Sequence, residues 1–151
     1  MSKIVFRSAT LADVPQLALN LLSADKREIQ EGAGLNPVLS LSLDISTTGA
    51  TIFSTDDGVD LGLAGVSADG CIWMHCTSAV KEKPLLFCKE ARRWLDDLHH
   101  PILFNCADIR NTLHLKLLKH LGFKFLRVIP FGPNNLYFVE FVKLCHSRSL
   151  L

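Results

Sequence analysis

A chain of 151 residues is the size of one domain and leaves no room for a second independent core. Hydrophobic residues at 48% against 21% charged exclude intrinsic disorder, and a net charge of +1 excludes a dominant basic field, so no nucleic-acid partner is expected. No stretch approaches a bilayer span, and Asp13 and Pro15 interrupt the N-terminal segment before a signal-peptide core could form, which points to a cytoplasmic protein with no membrane partner.

In chain order, residues 3–8 read as a short strand. Thr10 and Asp13 then form a capping-box-like helix start for the stripe Leu11, Val14, Leu17, Ala18, Leu21, with Pro15 tolerated in the first turn. Residues 23–36 are polar and glycine-bearing, which predicts a turn and a frayed helical piece. Asn36 and Pro37 are N-cap and first residue of a helix to about Asp44. Three strands follow at 50–55, 61–67 and 71–79. The Asp-Asp-Gly and Ala-Asp-Gly runs between them are hairpin-turn chemistry, so the region is an antiparallel meander.

Pro84 opens an amphipathic helix over 84–98, with Phe87, Ala91, Trp94 and Leu98 on the buried face. A strand at 102–107, a helix at 111–121 ended by Gly122, and strands at 124–129 and 136–144 complete the order β-α-α-β-β-β-α-β-α-β-β. The tail at 146–151 is expected to be mobile. The five cysteines form no CxxC pair and four lie in apolar segments, so buried reduced thiols are expected and no metal site. His75 and Cys76 are neighbours on a strand and face opposite ways, which rules them out as a base and nucleophile pair.

A meander, a crossover helix, a parallel strand, a helix and a closing hairpin resemble the GNAT N-acetyltransferase fold. The segment Asn111-x-x-His114-x-x-Leu117-Leu118-x-x-x-Gly122-Phe123 parallels the N-x-x-A-x-x-L-Y-x-x-x-G-F pattern of that superfamily's second CoA-binding motif. The residues from Trp73 to Thr77, the run from Phe87 to Asp96, and the same motif from Asn111 also resemble the small acetyltransferase-like proteins of short-tailed bacteriophages, the internal virion protein A type. The resemblance implies an α/β fold, a three-layer α+β arrangement of one mixed, mostly antiparallel sheet with helices on both faces.

Two departures from the GNAT pattern bear on function. The resemblance places the pyrophosphate-cradling loop at residues 77–84, where no glycine stands and Pro84 offers no N–H. Leu118 stands where many GNAT enzymes have a tyrosine proton donor, and leucine donates no proton. Acetyl-CoA binding is therefore expected to be weak or absent, with a narrowed or blocked splay between the strands ending near Thr77 and Ala107.

Cofactor-side candidates are Thr77, Ser78, Lys81, Lys83, Asn111 and Leu118, the two lysines as point charges replacing the lost loop. Glu28 and Glu31 are the candidate bases by position, set against the ordinary reading of solvated acids. His75 reads as a packed histidine with a satisfied ring, and His114 as structural. The basic run Arg110, Lys116, Lys119, His120, Lys124 and Arg127 reads as a solvated face.

Together these imply a GNAT-like bacteriophage protein, non-catalytic, which binds a host or virion protein in the host cytoplasm or the virion. The alternative is an acyl-CoA-dependent N-acetyltransferase acting on a host protein. Gly122 is expected at positive φ, and Trp94 is expected to be buried.

Overall fold

The computed structural model describes residues 3–145, so the tail at 146–151 lies outside the described residues. Strand β1 (Ile4–Ser8) leads through a short 3-10 turn into α1 (Val14–Asn20), and the Asp13 carboxylate accepts the Thr10 N–H at 2.8 Å, as the capping pattern requires. The polar segment expected to fray is helical: α2 (Ser23–Arg27) runs directly into a π-helical turn, Glu28–Gly32.

Helix α3 (Pro37–Thr48) is capped by the Asn36 side chain, which accepts the Val38 N–H at 2.8 Å, and it extends one turn past Asp44. The hydroxyls of Thr47 and Thr48 bond back to the carbonyls of Leu43 and Asp44, each at 2.8 Å, so both find partners within the helix before Gly49 ends it.

The meander forms as expected: β2 (Thr51–Thr55), β3 (Asp60–Val66) and β4 (Ile72–Cys76) pair antiparallel with β1 on the far side of β2. β4 ends at Cys76, and Ser78–Glu82 coils into a 3-10 turn before α4 (Pro84–Asp96). The second sheet has the order β5 (Ile102–Asp108), β7 (Leu136–Leu144), β6 (Lys124–Phe131), with α5 (Thr112–His120) between β5 and β6.

Apolar alternation sends Phe53 to the α4 side, where it meets Phe87 and Trp94, while Ile52 packs with Val14, Leu17, Leu41 and Ile45 of α1 and α3. Trp94 is 9% exposed and Gly122 has φ of 94°, both as expected. Of the cysteines, all free, Cys76 is buried as expected, while Cys71, Cys88, Cys106 and Cys145 are half-buried.

The two sheets touch at one end alone. Cys71 and Phe104 form a single parallel bridge, the Phe104 N–H donates to Gly70 O at 3.0 Å, and Asn105 Nδ2 donates to Ile72 O at 2.7 Å. Gly70 makes this approach possible, because a Cβ there would stand 2.1 Å from Ile102 O. Past that point β4 and β5 no longer pair, and the sheet splits.

Candidate functional site

Strands that separate leave edge N–H groups that need partners. The α2–π segment supplies them with two carboxylates three residues apart. Asp25, 4% exposed, accepts the Cys76 N–H of β4 at 2.7 Å, and Glu28 accepts the Asp108 N–H of β5 at 2.8 Å. The other Asp25 oxygen accepts from Asn111 Nδ2 at 2.8 Å, and Asn111 in turn caps α5 by accepting the His114 N–H at 3.3 Å. Acids thus hold the splay open where a backbone ladder would have closed it.

Two cavities occupy the opening. The first, of about 450 Å³, lies between the end of β4, the start of α4 and α5, with walls from Leu22, Met74, Val80, Phe87, Leu113 and Leu117; Lys81, Lys116 and His120 also line it. The second, of about 340 Å³, lies toward α3 and the second sheet. Met74 and His114 line both, so the cavities meet at these two side chains. Thr77 and Ala107, between which a narrowed or blocked splay is expected, are buried and line neither cavity: Asp25 and Glu28 bridge the gap there, and the two spaces lie on either side of it.

At that junction His114 Nδ1 stands 3.7 Å from Glu28 Oε2, an ion-pair distance too long for a hydrogen bond, with both side chains 11% exposed. Burial pushes the Glu28 carboxyl up, but the His114 ring, the Asp108 N–H and His75 reverse this and leave it below its ordinary value. Burial likewise pulls the His114 imidazole down, and Glu28, with Asp25 behind it, more than restores it, so the ring holds its proton above the ordinary histidine range.

The candidates from sequence divide. Lys81 and Asn111 line the first cavity, and Glu28 and Leu118 the second. Glu28 is buried, not solvated, because the π-turn aims it at the β5 edge. Glu31 is exposed, paired with Arg110 at 3.0 Å, and lines neither cavity. Leu118 is 5% exposed in the core. Thr77 is buried with its hydroxyl donating to Asp60 O at 2.7 Å, Ser78 is exposed on the 3-10 turn, and Lys83 lies at the turn's end; none of the three lines a cavity.

His114, expected to be structural, stands at the junction of the two cavities. His75 is buried with Nδ1 unpartnered, not satisfied. The basic run does not form one face: Arg110 pairs with Asp108 and Glu31, Arg127 with Glu140, and Lys116 and His120 line the first cavity. Asp25, which the sequence reading missed, carried no signal beyond its spacing from Glu28. Among the described residues no cluster of three or more His, Cys, Asp or Glu could hold a metal ion, and no helix is long and apolar enough to cross a membrane.

No protein-family model and no curated protein matches the chain. Solved structures do. A spermidine N-acetyltransferase from Vibrio cholerae, in complex with CoA and spermine, is similar at a TM-score of 0.67 and 10% identity over 94% of this chain and 95% of that one. A GNAT-family acetyltransferase from Bacillus anthracis gives 0.68 and 12% over the same shares of the two chains. An aminoglycoside acetyltransferase in complex with coenzyme A gives 0.64 and 16%, again over 94% and 95%. With strand order, split sheet and these likenesses together, the chain has the fold of the GNAT acetyltransferases.

Proposed function

We propose that the chain is an acyl-CoA-dependent N-acyltransferase whose proton-transfer group is His114, backed by Glu28. The observation that carries this is the meeting of two cavities at a largely enclosed histidine–carboxylate pair where β4 and β5 part. The first cavity fits a pantetheine arm: it is roomy at about 450 Å³, mostly apolar, and set with the cations Lys81 and Lys116, which replace as point charges the glycine cradle that the Ser78–Glu82 turn lacks. CoA bound there would supply an activated thioester.

The chain's own residues then manage one proton. Glu28 faces Nδ1 of His114, which leaves Nε2 to take the proton of an amine entering from the second cavity as the N–C bond forms. The imidazolium can return that proton as the C–S bond breaks, a task closed to Leu118.

His114→Ala should lower kcat by about 100-fold or more with little change in CoA affinity, and the wild-type rate should rise with pH through a value above that of an ordinary histidine. An unchanged kcat would refute the assignment.

A second reading rests on Leu118 and the glycine-free turn: a non-catalytic protein that uses the fold to bind a host or virion protein, in the cytoplasm or the virion. Its bacteriophage context is supported by the sequence resemblance between Trp73 and Phe123 alone. CoA binding with no transfer to any amine or host protein would favour it over the enzyme.

A further inference from the structure

The second cavity has a one-sided chemistry. Among its lining residues there is no lysine or arginine; the charged and titratable groups are the carboxylates of Glu28 and Asp44, the imidazoles of His75 and His114, and the thiols of Cys71 and Cys106. Trp73, Phe131 and Phe138 add aromatic surface, with the Phe131 and Phe138 rings 4.5 Å apart. The protonated His114 ring is matched by Glu28, which leaves Asp44 as the carboxylate free to attract a cation, and the aromatic faces suit an apolar body.

Two further features mark a built site. His75 is nine-tenths buried and lines the cavity while its Nδ1 lacks a partner, so a polar group is prepared and unused. The hairpin between β6 and β7 closes against the π-turn: Asn134 Nδ2 donates to Glu31 O at 2.9 Å, and Gly132 packs so near Gly32 O that a Cβ would meet it at 1.8 Å. At about 340 Å³ the space is near the lower end for ligand pockets.

We infer that the second cavity accepts a compact primary amine with an aromatic or apolar body and no carboxylate, its ammonium drawn by Asp44 and its body against Trp73, Phe131 and Phe138. This rests on the transferase reading for its chemistry, though not for its binding. A free amino acid is disfavoured because its carboxylate would face Asp44, while the protonated His114 ring on the same wall is already matched by Glu28. A long polyamine is disfavoured because Asp44 is one carboxylate for several ammonium groups, Glu28 being matched by His114.

The test is calorimetric titration of the full chain, without CoA, with phenethylamine, phenylalanine, spermidine and a lysine-containing peptide. Phenethylamine should bind at least tenfold tighter than each of the other three, and Asp44→Asn should weaken it about tenfold with its thermal melt intact. Equal binding of phenylalanine or of the peptide, a preference for spermidine, or no binding of phenethylamine would overturn the inference. A parallel titration with CoA keeps the two ideas apart: amine binding without CoA binding sinks the transferase and leaves this site, and CoA binding without amine binding does the reverse.

Discussion

A histidine and a glutamate that share a buried junction answer to pH in opposite directions, and the signs can be worked out. Glu28 is held below its ordinary 4.5, so its contribution to stability is present above that value and is lost on acidification through the lowered one. His114 is held above its ordinary 6.5, so its contribution is complete below that value and fades as pH rises through the raised one. The pair therefore stabilises the fold most between about pH 4.5 and 6.5. The difference in melting temperature between wild type and His114→Gln should be largest near the middle of that window and small at pH 9; a difference that grows with pH would contradict the pairing. Neither partner announces itself in the sequence: Glu28 sits in a stretch with no apolar stripe, and His114 takes a small-residue position of the motif it belongs to. What joins them is a separation of 86 positions in the chain, which periodicity and capping rules do not see.

At the scale of elements, the α2–π segment is the piece that local reading undervalued and the fold depends upon. Its residues favour caps and surfaces, so propensity predicted a frayed turn. Tertiary contact overrides this, because Asp25 and Glu28 satisfy the edges of two strands that have parted. By contrast α5 was legible almost to the residue, since its Asn111 cap, leucine face and Gly122 stop are all local signals. Asp25 offers a sharp test. Both of its partners, the Cys76 N–H and Asn111 Nδ2, are donors, so an amide cannot replace the carboxylate without turning a donor toward a donor. Asp25→Asn should cost about 3 kcal/mol in chemical denaturation, nearly as much as Asp25→Ala. A silent Asn substitution would show that these bonds do not hold the splay.

For the whole molecule, the order of strands and the split sheet reproduce the GNAT fold at 10–16% identity to the three acetyltransferases compared, so the architecture rests on the pattern of apolar residues and turns more than on particular side chains. That is why the fold was readable and the state of the cofactor side was not. A missing glycine loop is a local signal, while the cavities beside the parted strands are framed by acids from a distant helix. The rim cations follow the same logic: Lys81 and Lys116 stand at the first cavity from different elements, and only the folded chain brings them together. Replacing both with alanine should weaken CoA binding by about 1–3 kcal/mol and reduce its salt dependence. Calorimetric titration of the wild-type chain with acetyl-CoA and with desulfo-CoA tests whether the cavity beside α4 and α5 is a site for a CoA thioester. Binding of both in the micromolar range is the expected result; no heat at millimolar ligand would contradict it.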